Sequence, residues 1–268
     1  ELAEAIVDRK NPLTARVFVN RVWMHHFGAG LVRTPSNFGT LGEAPTHPLL
    51  LDWIAADFVE HGWSLKRLHR QIMTSATYQL SSAYDADSFR QDGDNRLLWR
   101  MSPRRMEVEV WRDSLLSITG ELDPTLGGPS FDNIAQERRR TIYAKVSRNG
   151  DAFASDGFLR RFDFPHMRAT VAKRPQSIVP QQYLFLLNSQ FMVNRAKSLV
   201  ARLESVTQRD DEKIKKAYEL LYGRPPSANE AAIGLEYIAS SEHAGQKISA
   251  WEQYAQVLLS SNEFMFIR

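Results

Sequence analysis

The chain has 268 residues, of which 43% are hydrophobic, so it is long enough to bury a core as one large domain or two small ones. Its 34 basic and 31 acidic side chains leave a net charge of only +3, which argues against a nucleic-acid partner. The absence of cysteine excludes disulfides and thiolate metal sites. No apolar run approaches the ~20 residues of a membrane span, so none is expected.

The first part of the chain is predicted to be helical around one irregular loop. Apolar spacing indicates helices at 2–9, 14–27, 48–61 and 64–73. The intervening segment 31–46 contains two prolines and two glycines, which preclude regular structure. Thr46 and Ser64 are the expected N-caps of the third and fourth helices.

The third helix is predicted to bury a stripe that includes Trp53 and Phe58. Only Gly62 separates this helix from the next, so their apolar faces are expected to share one core. Trp53 and Trp63 are both expected inside that core.

The remainder of the chain is also predicted to be mainly helical. One helix is expected from Pro103 to about Thr119, and the alternation in 140–147 predicts the one strand. The later apolar periodicities and Ser/Glu capping boxes indicate five more helices, at 178–188, 190–204, 211–222, 227–240 and 249–260.

These elements predict a mainly α fold: an irregular multi-helix domain with long ordered loops, at most a small β element, and a C-terminal helical subdomain. The polar stretch Thr207–Lys213 (TQRDDEK) is the best linker candidate. We therefore divide the chain into a main helical domain, 1–205, and a three-helix subdomain, 206–268, packed on it.

One candidate site lies in the loop that leads into the third helix. Five polar side chains lie there among glycines and prolines: Arg33, Asn37, Glu43, His47 and Asp52. Polar groups on a constrained loop favour function more than the same groups on a helix surface. His47 with Glu43 or Asp52, assisted by Arg33, is the predicted catalytic set. The alternative is a structural loop whose polar groups satisfy its own backbone.

A second candidate site is the basic segment, which we define as residues 138–174. It contains ten Lys or Arg against three Asp, with phenylalanines between them. Guanidinium groups beside aromatic rings suit a sulfate, carboxylate or phosphate ligand. The predicted ligand-binding residues are Arg160, Arg161, Arg168 and Arg174. The alternative is that some of these arginines pair with Glu107 and Glu109 while the phenylalanines form core. A similar network is expected for Arg104 and Arg105 with those two glutamates.

No metal site is predicted from the histidines. His25 and His26 are adjacent, so on a helix they point about 100° apart and do not share a ligand. His61 and His69 lack an HExxH spacing. Both members of the first pair are expected to be structural.

Several motifs together resemble a known bacterial family. They are the run from Asn11 to Ser81, Asp94–Arg100 (DNRLLWR), the helix from Arg104 to Leu115, Gly127–Pro129, Phe162–Pro165, and Val179–Ser189. In this order they resemble domain of unknown function 1553, the planctomycete-type C-terminal domain of large exported cytochrome-like proteins, along nearly the whole chain.

The resemblance implies an exported protein, periplasmic or at the cell surface. It also implies partners, namely other domains of the parent protein that include a haem-binding cytochrome-like segment. Because the Cys-x-x-Cys-His motif of that segment is absent here, this chain is expected to bind no covalent haem, and no cofactor is predicted.

Two functions remain open from the sequence. The first is a ligand-binding or assembly module of an exported multidomain protein, acting on anionic polysaccharide and so in polysaccharide utilisation. The second is a hydrolytic or carbohydrate-active catalytic domain centred on the Arg33–Asp52 loop. The lack of a recognised nucleophile or metal signature favours the first.

Overall fold

The computed structural model describes residues 1–150, 152–240 and 248–267. The chain forms two compact units, residues 1–104 and 105–267. The predicted boundary at 205/206 falls inside the second unit, between two of its helices, and as a subdivision of that unit it stays a prediction.

The described residues form helices joined by long loops, which confirms the mainly α prediction. The first unit contains α1 (Leu2–Val7), α2 (Thr14–Phe27), α3 (Pro48–Glu60), α4 (Leu65–Met73) and α5 (Ala86–Gln91). The second contains α6 (Val108–Ile118), α7 (Ala154–Arg160), α8 (Pro180–Asn188), α9 (Gln190–Glu204), α10 (Asp210–Tyr222), α11 (Ala228–Ser240), α12 (Ala250–Leu259) and α13 (Asn262–Met265). None of these helices is long and apolar enough to cross a membrane.

The core of the first unit is built by α2, α3 and α4. Val19 and Trp23 of α2 lie against the inner face of α3, where Ile54 and Phe58 are buried, and Leu68 of α4 completes the cluster. Each helix therefore buries one stripe, as its apolar spacing predicts.

The prediction that Trp53 is buried is wrong. Its side chain is 57% exposed, and Leu49, one turn earlier on α3, is 84% exposed. The reason is that α3 has apolar residues on two faces, and the face with Ile54 and Phe58 is the one that packs. Trp63 does join the core, with its ring edge-on to Phe58 at 5.2 Å.

The helix caps in this unit follow the sequence with one correction. Ser64 caps α4 by accepting from the backbone N–H of Arg67, as predicted. The N-cap of α3 is His47 rather than Thr46, and its side chain makes no capping hydrogen bond. Pro48 occupies the first turn, where its missing N–H is not needed.

The second unit is built around α9, which packs against α12 and α8. Met192, Leu199 and Leu203 of α9 are fully buried. Trp111 of α6 lies in the same core, stacked among phenylalanines that include Phe162, with ring centroids 4.7 Å apart. The phenylalanines of the basic segment therefore serve mainly as core, as the alternative reading expected.

The predicted strand at 140–147 is wrong. Thr141–Tyr143 is a short 3-10 helix, flanked by two isolated bridges, Asp123 with Arg139 and Phe131 with Ala144. The backbone N–H and hydroxyl of Thr141 both donate to the Asp113 carboxylate, at 2.7 and 2.6 Å. These bonds take the place of a strand ladder.

A two-stranded sheet occurs instead between β1 (Arg104–Arg105) and β2 (Phe266–Ile267). Beside it, the Met106 N–H donates to the Met265 carbonyl at 2.9 Å. This extended segment delays the helix predicted from Pro103 until Val108.

The predicted capping boxes of α11 and α12 are both present. Ser227 and Glu230 exchange side-chain and backbone hydrogen bonds at 2.7 and 3.3 Å. Ser249 and Glu252 do the same at the start of α12. Each box satisfies two backbone donors that a helix start leaves open.

Candidate functional site

The loop before α3 is held by hydrogen bonds to Asn20 of α2 and by its own polar groups. The buried amide of Asn20 donates to the Val32 carbonyl at 3.0 Å and accepts from the Val32 N–H at 2.8 Å. Thr34 donates its hydroxyl to the Asn37 carbonyl and accepts from the Glu43 N–H. A Cβ at Gly42 would lie 2.2 Å from the Asn37 carbonyl oxygen, so only glycine fits there. Much of the unusual composition of this loop therefore has a structural explanation.

The four predicted catalytic residues pair with four different groups. Arg33 donates to the Asp94 carbonyl at 2.9 Å, and Glu43 lies 3.3 Å from Arg96. The two remaining members are placed as follows: Asp52 accepts from Arg16 at 2.6 Å, and His47 Nδ1 lies 3.0 Å from the Thr46 hydroxyl.

Within residues 1–104, all of which are described, no hydrogen bond or ion pair joins these four candidates to one another. The catalytic assignment therefore stays a prediction, and no direct contact between the four residues supports it. The hydrolytic function depends on the same residues and stays a prediction with them.

The loop that receives Arg33 and Glu43 is residues 92–100. The Asp92 carboxylate accepts from the N–H groups of Arg96 and Leu97, at 2.9 and 2.7 Å. Asn95 and Leu98 both have positive φ, at 51° and 59°, which is a strained conformation for a leucine. The DNRLLWR motif thus forms a loop held by its own hydrogen bonds. Its contact with the Arg33–Glu43 loop is not predicted by any local sequence pattern.

The basic segment lies in the second unit, and part of its charge is neutralised there. Arg174 makes two hydrogen bonds to the Glu109 carboxylate, at 2.7 and 2.8 Å, and lies 3.3 Å from Glu107. These acidic groups raise the pKa of Arg174, chiefly through the Glu109 hydrogen bond. Arg174 thus follows the alternative reading, in which it pairs with acidic residues outside the segment.

The expected network of Arg104 and Arg105 with Glu107 and Glu109 is wrong. Arg104 donates to the His25 carbonyl. Arg105 donates to the Ser177 carbonyl and to Gln182, and lies 3.7 Å from Asp163. Glu109 pairs instead with Arg174, which lies 65 residues further along the chain.

The other three predicted ligand-binding arginines have different surroundings. The half-buried Arg160 donates to the Asp156 carbonyl at 3.3 Å. Arg161 is exposed and its guanidinium lies over the Phe185 ring, 4.8 Å from the centroid. Arg168 is exposed and donates to the Asn149 side chain at 2.5 Å, which joins two parts of the basic segment 19 residues apart.

Four exposed cations of the basic segment have no carboxylate within 4.0 Å among the residues that the structure describes: Arg148, Arg161, Arg168 and Lys173. We call them the exposed basic group. A guanidinium stacked on a ring presents its N–H edge outward, which is the edge that binds an oxyanion. Arg161 is exposed with its guanidinium carbon 4.8 Å from the Phe185 ring centroid, so it is the member of the group placed for such a contact.

A groove of about 450 Å³ runs along α6 in the same unit. Its lining is Glu109, Val110, Asp113, Ser114, Ser117, Arg140 and Ile142. Both carboxylates in it are already engaged, Glu109 by Arg174 and Asp113 by Thr141. Over the described parts of the chain, no three histidine, aspartate or glutamate side chains converge as a metal site.

A family model described as PSD1, Protein of unknown function (DUF1553), matches residues 1–238. No curated protein and no solved structure matches the chain.

Proposed function

The chain belongs to the PSD1 (DUF1553) family, and since that description states no activity, we propose a function from its surface. We propose that the chain is a binding module for an anionic polysaccharide, and that the exposed basic group is the binding surface. The proposal includes the setting expected from the sequence. That setting is an exported multidomain protein, periplasmic or at the cell surface, with a haem-binding cytochrome-like segment among its other domains.

The single observation that carries the proposal is the surplus of unpaired charge. Ten cations and three acidic residues share the basic segment, a local excess of seven positive charges. Arg174 obtains carboxylate partners from α6 and from Glu107 just before it. The exposed basic group has no such partner in the described residues, so its charge faces solvent.

The chemistry of these side chains favours sulfate or carboxylate groups on a chain of sugars. Guanidinium forks match the geometry of both anions with two parallel hydrogen bonds. Exposed cations spread along one segment suit a ligand that repeats its charge, because each single contact is weak in water.

The test is binding of the whole protein to heparin, with dextran as the uncharged reference. Arg161→Gln with Arg168→Gln should weaken binding about tenfold, because two exposed charge contacts of about 0.7 kcal/mol each are lost. The matched control is Arg138→Gln with Arg209→Gln, which removes the same charge from exposed arginines that do have carboxylate partners. Equal weakening by both pairs, or equal binding of heparin and dextran, would overturn the proposal.

A further inference from the structure

His26 of α2 and His69 of α4 form a hydrogen-bonded pair in the first unit. His26 Nε2 lies 2.8 Å from His69 Nδ1. The ring centroids are 5.0 Å apart. This separation is close to the sum of the N···N distance and the centre-to-nitrogen distance of each ring. The two nitrogens therefore face each other nearly along one line. This is the geometry of an N–H···N bond rather than of two ligands converging on a metal.

Such a bond requires one proton between the two nitrogens. One ring donates an N–H, and the other must offer a lone pair. If both rings are protonated, neither nitrogen has a lone pair and two positive charges stand 2.8 Å apart. The contact between α2 and α4 at this point therefore depends on protonation.

The surroundings of the pair disfavour a second proton. Burial lowers the pKa of His26 below its ordinary 6.5, and the nearby charges of His69, Arg104 and His25 lower it further. Tyr78, from the segment after α4, lies edge-on to His26 at 5.5 Å. In residues 1–104, no carboxylate lies within 4.0 Å of either ring of the pair to offset a second charge.

We propose that the His26–His69 pair is an acid-sensitive clasp that ties α4 to α2 near neutral pH and opens when both rings are protonated. Local spacing in the sequence does not predict the pair, because the two residues are 43 positions apart.

The direction of the pH effect follows from the lowered pKa of His26. Between that pKa and 6.5 the unfolded chain binds more protons than the folded one, so stability rises with pH there. The contribution of the pair to the first unit is thus complete above 6.5 and is lost as the pH falls below it.

Nitrogen-15 NMR titration of the imidazoles in the whole protein tests the clasp directly. The expected result is that the His26 imidazole takes up its second proton below pH 6.5, and that its Nε2 signal shows the N–H···N bond to His69 at neutral pH. A single, independent step near 6.5 for His26 would overturn the proposal.

Thermal unfolding of variants gives the second measurement. The melting temperature should decrease between pH about 7.5 and about 5.5. This decrease should be smaller in His69→Gln than in the wild type, by on the order of 4 °C. Glutamine retains a hydrogen-bonding group but does not titrate. His166→Gln, at an exposed histidine of the second unit, is the matched control and should follow the wild type. If His69→Gln does not fold, the wild-type NMR titration still decides.

Discussion

Replacing Arg112 by methionine should destabilise the second unit strongly. Arg112 lies on α6 with none of its surface exposed. Its guanidinium donates to the carbonyls of Ile134, Glu137 and Arg139, and to the Thr141 hydroxyl at 3.1 Å. One side chain thus fixes the whole segment from residue 134 to residue 141 on α6.

The magnitude follows from what the substitution leaves behind. Three carbonyls lose their donor, that of Ile134 buried and those of Glu137 and Arg139 partly buried, and each buried unsatisfied group costs about 1–3 kcal/mol. Water entering the gap offsets part of this loss, so we expect a net cost of about 3–5 kcal/mol, the usual range for breaking a buried charged network. Burial also lowers the pKa of Arg112 to about 10.

Urea unfolding followed by circular dichroism measures the change. The control is Arg138→Met, the same substitution at a side chain that is 66% exposed and 3.9 Å from Glu121, which should cost less than about 1 kcal/mol. A loss below about 1 kcal/mol for Arg112→Met as well would refute the reasoning, because it would mean that the three carbonyls find other partners.

Two further predictions concern the C-terminal helices. Gly234→Ala should cost about 1–3 kcal/mol, because the added Cβ would lie 2.6 Å from the Tyr254 hydroxyl. The control, Gly157→Ala on α7, places its Cβ in open space and should be neutral or stabilising. Thermal unfolding measures both changes. Hydrogen bonds from Arg224 and then Ser227 hold the pKa of Glu230 at about 2, below its ordinary 4.5, so their contribution to stability is present above pH 4.5 and is lost as the pH falls toward 2. Glu230→Gln should flatten that acid limb, and an unchanged slope would contradict the assignment.

Helix positions were the most predictable feature, because their signals are local. Ser64, Ser249 and the pair Ser227 and Glu230 each mark a helix start within four residues of sequence, and all of these caps are present. The local sequence pattern predicted the wrong structure where a long-range hydrogen bond favoured a different one. The alternation at 140–147 is compatible with a strand, but the Asp113 carboxylate bonds Thr141 and the chain turns there instead.

The error at Trp53 has a different origin. A helix with apolar residues on two faces does not reveal which face will be buried, because both satisfy the same periodicity. The choice is made by α2, whose Phe18 ring stacks on Phe58 at 5.3 Å and leaves Trp53 on the far side. Only the packing partner, which lies about 40 residues away in the sequence, carries that information.

The two candidate sites differ in how much of their unusual composition packing explains. In the Arg33–Asp52 loop, each charged candidate has at least one polar partner in the first unit: the Asp94 carbonyl, Arg96 or Arg16. In the basic segment some cations lack such a partner. Arg174 pairs with two glutamates, whereas the exposed basic group has no carboxylate partner in the described chain. Charge that the fold does not use for itself is the charge available to a ligand. A functional assay should therefore begin with the exposed cations of the second unit rather than with His47.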